Sequence, residues 1–139
     1  TDFQAALGLS QLVRLSDFID KRLSCSRRYE GAIGKNNSFM RQTPVGPGLA
    51  NGYRFALKLG SNLANAEKLM LDKGITCIRP IIPEELLHHC LDLSPSDFPG
   101  AESVAANTLS VPIFPSLSED QIVRIIDGLT ELKDLIDSN

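Results

Sequence analysis

Apolar residues set the rhythm of the first quarter of the chain. Phe3, Leu7, Leu12, Leu15, Ile19, Leu23 and Ile33 recur mostly at three- and four-residue steps, with no proline between them. That spacing predicts one long helix over residues 1–33. Asp17, Asp20, Lys21, Arg27 and Arg28 supply its charged face later on. The start differs, because Phe3, Ala5, Ala6, Leu7 and Leu9 are apolar nearly all round. A helix end of that kind is expected to be buried on several sides. At about 1.5 Å per residue the helix would be about 50 Å long. A globule of this size is only about 30 Å across. Part of the helix is therefore expected to project and to meet a partner.

The pattern then changes. Residues 34–52, rich in Gly, Pro and Asn, are expected to form a long surface loop. Tyr53, Phe55, Leu57 and Leu59 alternate with less apolar residues, which predicts a strand. Asn62 or Ser61 should cap a helix running to about Lys73, with Leu63, Ala66, Leu69 and Met70 inward and Gly74 closing it. Ile75–Arg79 is expected to be a second strand, stopped by Pro80. Pro83-Glu84-Glu85 should open a short helix carrying Leu86, Leu87 and Leu91, and Ala101–Asn107 another. Leu109–Phe114 is expected to be a third strand, at an edge or bulged at Pro112. Ser118 with Gln121 reads as a capping box, with Leu117 and Ile122 as the matching hydrophobic staple. Ile122, Ile125, Ile126, Leu129, Leu132 and Ile136 continue a last helix. The sum is an α+β fold: a long N-terminal helix, then a small, mainly antiparallel sheet covered by helices.

Composition narrows the class. With 139 residues, 42% hydrophobic and 22% charged, the chain matches ordinary globular usage and not a disordered or collagen-like segment. A net charge of −3 argues against nucleic acid or an acidic membrane surface as partner. No apolar run approaches the ~20 residues of a membrane span, and the first residues lack a signal-peptide pattern. Three scattered cysteines, Cys25, Cys77 and Cys90, are expected to be reduced thiols, which suits a cytoplasmic location.

Candidate chemistry is sparse. His88 and His89 stand beside Cys90, but neighbours on a helix point ~100° apart, whereas metal motifs use a four-residue step. No metal site is expected; one histidine should be packed or hydrogen-bonded and the other in solvent. Arg79 at a strand end suits phosphate or carboxylate, although a surface ion pair is the favoured explanation because arginines are mostly exposed. No nucleophile elbow, dinucleotide loop or Walker loop is present. Glu84-Glu85 and Glu119-Asp120 sit where helix dipoles favour acids, without catalysis.

Several segments together go further. Thr1-Asp2-Phe3-Gln4-Ala5-Ala6-Leu7-Gly8, followed by Gln11-Leu12 and Leu15, resembles a segment of the DegT/DnrJ/StrS sugar aminotransferases. Gly74-Ile75, Phe98-Pro99-Gly100-Ala101-Glu102 and Thr108–Ser118 are similar to later family segments in the same order, with residues 34–52 least alike. The resemblance implies the C-terminal part of a fold-type-I, pyridoxal-phosphate enzyme. Such an enzyme moves an amino group, usually from glutamate, onto a keto-sugar attached to a nucleotide, and a homodimer is expected. Residues 1–33 would be the interdomain helix and 34–139 the small C-terminal domain, with the catalytic large domain absent.

The Schiff-base lysine, the ring-stacking aromatic and the acid at the pyridine nitrogen would all belong to that large domain. None of Lys21, Lys35, Lys58, Lys68, Lys73 and Lys133 sits in a comparable context. No catalytic or cofactor-binding residue is therefore expected in this chain, and no cofactor is expected bound to it alone. Many members carry His-Tyr where Arg79-Pro80 stands here. Arg79 and His88 are thus the expected substrate-binding residues, at the edge of a sugar-nucleotide cleft. Two alternatives stay open: a free-standing dimerisation or ligand-binding module, and a family dehydratase in which His replaces the Schiff-base lysine.

Overall fold

The computed structural model of the chain describes residues 1–34, 40–41 and 50–138. Helix α1 (Asp2–Leu12) is opened by Thr1, whose Oγ1 accepts from the Gln4 N–H while the Gln4 side chain reaches back to Thr1. Helix α2 (Leu15–Ile33) follows directly. The single helix expected over residues 1–33 is therefore two. Arg14 sits at φ −99°, ψ 0°, and its N–H bonds to Gln11 O, three residues back, at 3.0 Å. One tightened turn thus interrupts the α ladder. No Gly or Pro marks the place. It lies in the exposed stretch before the chain begins to bury side chains: α1 buries none, whereas α2 buries Cys25, Tyr29 and Ile33.

The sheet is three-stranded and antiparallel, in the order β1 (Met40–Arg41), β2 (Phe55–Lys58), β3 (Thr108–Val111). Strand β1 falls inside the region expected to be a loop, while 35–39 and 42–49 of that region lie outside the described residues. Across β2 and β3, Phe55 faces Val111 and Leu57 faces Leu109, so one face carries four buried side chains. The alternation expected from Tyr53 holds only from Phe55 onward, since Tyr53 is exposed.

The strand expected at Ile75–Arg79 shrinks to one bridge. Ile78 exchanges two backbone hydrogen bonds with Ser110, at 3.1 and 2.8 Å. In an antiparallel ladder the next hydrogen-bonded pairs would be Thr76 with Pro112 and Pro80 with Thr108. Each contains a proline, which has no N–H to give. Strand β3 likewise ends at Val111, short of the expected Phe114.

Helix α3 (Leu63–Asp72) buries Leu63, Ala66 and Met70, and Gly74 beyond it adopts φ +71°. Asn62 precedes α3 without a side-chain cap; a 3₁₀ turn at Gly60–Asn62 leads in instead. The helix expected at Pro83 is a 3₁₀ turn, Pro83–Glu85, followed by the four-residue α4 (Leu87–Cys90). Helix α5 (Pro99–Asn107) runs directly into β3. Helix α6 (Glu119–Asp137) has both bonds of the expected capping box: Gln121 N–H to Ser118 Oγ, and Ser118 N–H to Gln121 Oε1.

One core joins the sheet to α2, α3 and α6. Tyr29, Leu57, Met70, Leu109, Leu129 and Leu132 are its fully buried large side chains. Each contributes about 1.5–3 kcal/mol through removal from water. Tyr29 packs edge-on against Phe55 (5.3 Å between centroids) and donates its hydroxyl to Pro112 O at 3.0 Å, 83 residues away. Gly128 lets α3 approach α6, since a Cβ there would lie 2.8 Å from Met70 Sδ. A bidentate pair from Arg28 to Glu119, at 2.8 and 2.5 Å, ties α2 to the start of α6.

Candidate functional site

A cleft of about 410 Å³ opens where the Ile75–Ile78 segment, the end of β3 and α6 meet. Its polar lining includes Arg54, Thr76, Ser110, Gln121 and Arg124, with Phe114 among its apolar residues. The two arginines suit an anionic group. Among the described residues, neither a lysine nor a carboxylate lines it. The pyridoxal phosphate implied by the resemblance needs a lysine for its Schiff base and an acid at its ring nitrogen. The described lining of the cleft therefore does not fit that cofactor by itself. Two lysines away from the cleft are held in ion pairs, Lys21 with Asp17 at 3.0 Å and Lys73 with Glu131 at 2.5 Å.

Arg79 lies just past the Ile78 bridge, where the chain leaves the sheet. Its Nε and Nη2 grip the two oxygens of Glu67 on α3, at 2.6 and 2.7 Å. The guanidinium holds the Glu67 carboxyl below its usual range. Arg79 remains partly exposed, so its outer edge is open to a further anion. Cys77, two residues earlier, is pushed up to about 11 by burial and by Glu67, and stays a thiol at neutral pH.

His88 is elsewhere in the fold and is buried. No hydrogen bond or ion pair joins it to Arg79 among the described residues; each answers to a different carboxylate. The His88 ring stacks on Phe98, 4.5 Å between centroids and 17° between planes. Its Nε2 lies 2.7 Å from Glu102 Oε1 on α5. His89 Nε2 closes on the same oxygen. The expectation that one histidine would be packed and the other left in solvent is thus overturned for His89. Adjacent side chains diverge along a continuous helix, but α4 is a single turn following an extended Leu86 (φ −70°, ψ 128°). Rotation about the side-chain bonds brings both rings to Glu102, whose pKa is lowered by His89 and then by His88.

The remaining unusual surface is α1. Phe3 is 81% exposed, and Leu7, Leu9 and Leu12 are all more than half exposed. Nothing in the described residues covers them.

Comparisons with known proteins bear on these features. The family model described as the DegT/DnrJ/EryC1/StrS aminotransferase family matches residues 1–130. The spore coat polysaccharide biosynthesis protein SpsC of Bacillus subtilis (strain 168) is 24% identical over 143 residues, which cover 94% of this chain and 36% of SpsC. Among solved structures, the aminotransferase TlmJ from Streptoalloteichus hindustanus superposes with a TM-score of 0.81 at 22% identity, over 95% of this chain and 36% of TlmJ. DesV of S. venezuelae, solved in complex with a ketimine intermediate, gives 0.82 at 21% identity, over 94% of this chain and 36% of its own. The chain thus spans about a third of the length of the relatives it matches.

Proposed function

Because the chain belongs to the DegT/DnrJ/EryC1/StrS aminotransferase family, we propose that it is the small C-terminal domain of a pyridoxal-phosphate-dependent sugar aminotransferase. The observation that carries this reading is α1, an apolar helix with no buried residue, in a chain matched along residues 1–130. In the whole protein α1 packs against a large domain that holds the cofactor. The substrate is a keto-sugar attached to a nucleotide, the amino donor is glutamate, and the working form is a cytoplasmic homodimer.

The test is spectroscopic. The purified 139-residue chain, mixed with pyridoxal phosphate and then freed of unbound cofactor by gel filtration, is expected to retain no stoichiometric Schiff-base band and no spectral shift with glutamate. The same chain behind a lysine-bearing large domain is expected to show both. A glutamate-sensitive band from the chain alone would overturn the assignment.

Arg79 and His88 edge the sugar-nucleotide cleft in this reading. Arg79 does so through its open guanidinium, and His88 by fixing the turn at the rim. In the two-domain protein Arg79→Ala is expected to raise the KM for the nucleotide sugar about tenfold or more, the scale of a lost charge-assisted hydrogen bond. Glu67→Gln keeps the arginine and should leave KM nearly unchanged. Equal effects from the two variants would mean that Arg79 serves only to hold α3.

A further inference from the structure

We propose that His88, His89 and Glu102 form a binding site for a divalent transition-metal ion, with zinc the best match. The ligand atoms of the three residues lie within 4.8 Å of one another. They come from two elements, α4 and α5, 14 residues apart between His88 and Glu102. Two imidazoles and one carboxylate are a donor set suited to zinc, leaving a fourth position for water.

The site is pre-built on one side. Burial and the stack on Phe98 hold the His88 ring, and His89 meets that ring edge-on at 4.7 Å between centroids. Both Nε2 atoms already converge on Glu102 Oε1. Two ligands at about 2.0 Å from a tetrahedral ion sit about 3.3 Å apart. His88 Nε2 and the carboxylate oxygen, now 2.7 Å apart, therefore need only a small withdrawal of Glu102. Its side chain is 30% exposed and has room to withdraw.

A physical use for the ion follows from what lies between its ligands. Residues 91–101 are all exposed, and only a 3₁₀ turn at Pro95–Asp97 orders the stretch before α5. A metal bridge from α4 to α5 ties that loop down in the folded chain, and because the site forms only there, the binding free energy adds to folding stability. Cys90 is the nearby competitor, an exposed thiol whose Sγ lies 3.8 Å from Glu84 O. It is not one of the three converging ligands.

The test is a titration of the 139-residue chain with zinc chloride by calorimetry, and with cobalt chloride by visible absorption. One zinc per chain is expected, with a higher Tm and a cobalt band of four-coordinate nitrogen and oxygen ligation. His89→Gln and Glu102→Gln should each weaken binding at least about tenfold, the loss seen even when an outer-shell partner is removed. Both replaced side chains are partly exposed, and circular dichroism verifies that each variant folds. Cys90→Ser should bind as the parent does. No saturable zinc uptake by the folded chain would overturn the proposal. So would uptake that survives both ligand variants, or a thiolate-to-cobalt charge-transfer band that Cys90→Ser removes. The outcome is separate from the aminotransferase reading, since it concerns neither cofactor nor amino transfer.

Discussion

Leu129→Ala is expected to lower the unfolding free energy of the chain by about 2–5 kcal/mol, the range for emptying a fully buried leucine site. Leu129 has no exposed surface and lies on the same stripe of α6 as Ile125 and Leu132, which are also buried. The space around it has little slack. At the neighbouring Gly128, an added Cβ would sit 2.8 Å from Met70 Sδ and 3.1 Å from Ile75 Cδ1. Helix α6 also packs on α2 and α3, so movement to fill the gap would disturb both contacts. Urea denaturation measures the effect as a fall in midpoint at unchanged slope. Val123→Ala, on the exposed side of the same helix, should change stability by no more than about 0.5 kcal/mol. Equal losses from the two variants would remove α6 from its place as the central core helix.

Self-association of the isolated chain is the second large effect expected. Helix α1 offers Phe3, Leu7, Leu9 and Leu12 to solvent and continues into exposed Val13 and Leu15. Large apolar patches of this kind mark interaction sites. Each such side chain contributes about 1.5–3 kcal/mol when it leaves water. Replacing Phe3 and Leu7 by Glu should therefore weaken association about a hundredfold or more. Multi-angle light scattering across a concentration series reads this directly, as a mass that rises in the parent and stays monomeric in the double variant. Gln4 and Thr1 are untouched, so the helix keeps its cap. A parent chain that is monomeric at high concentration would contradict the expectation and weaken the case that α1 is made for burial.

Local rules explain which parts of this fold were legible in the sequence. Ser118 and Gln121 are three residues apart and cap α6 as their spacing predicts, because the motif is complete within one turn. Gly74 adopts the left-handed conformation expected of a glycine ending a helix. The break at Arg14 was hidden, since α1 and α2 share one apolar rhythm and no residue there forbids the helix. Pro80 and Pro112 were visible as strand breakers, but not that each faces the place where the other's strand would extend. That depends on the register between Ile78 and Ser110. At the candidate site, the place of Arg79 at a strand end is a local signal for an anion, and its grip on Glu67 is the surface ion pair that the same signal allows. The partnership of Glu102 with His88 and His89 is tertiary and leaves no local pattern in the sequence. The one available signal was its place in the Phe98-Pro99-Gly100-Ala101-Glu102 segment.

The paired prolines flanking the Ile78–Ser110 bridge also bear on what kind of assembly this chain can enter. A sheet margin with a full row of free amides recruits further strands and grows without limit, as fibrils do. Here each ladder position beyond the bridge pairs a proline with its partner, so the Ile78 segment adds only one rung to the β3 margin. Growth by β-stacking is disfavoured there while the greasy helix α1 stays available. Association through α1 would bury helix faces and add no strand to the sheet.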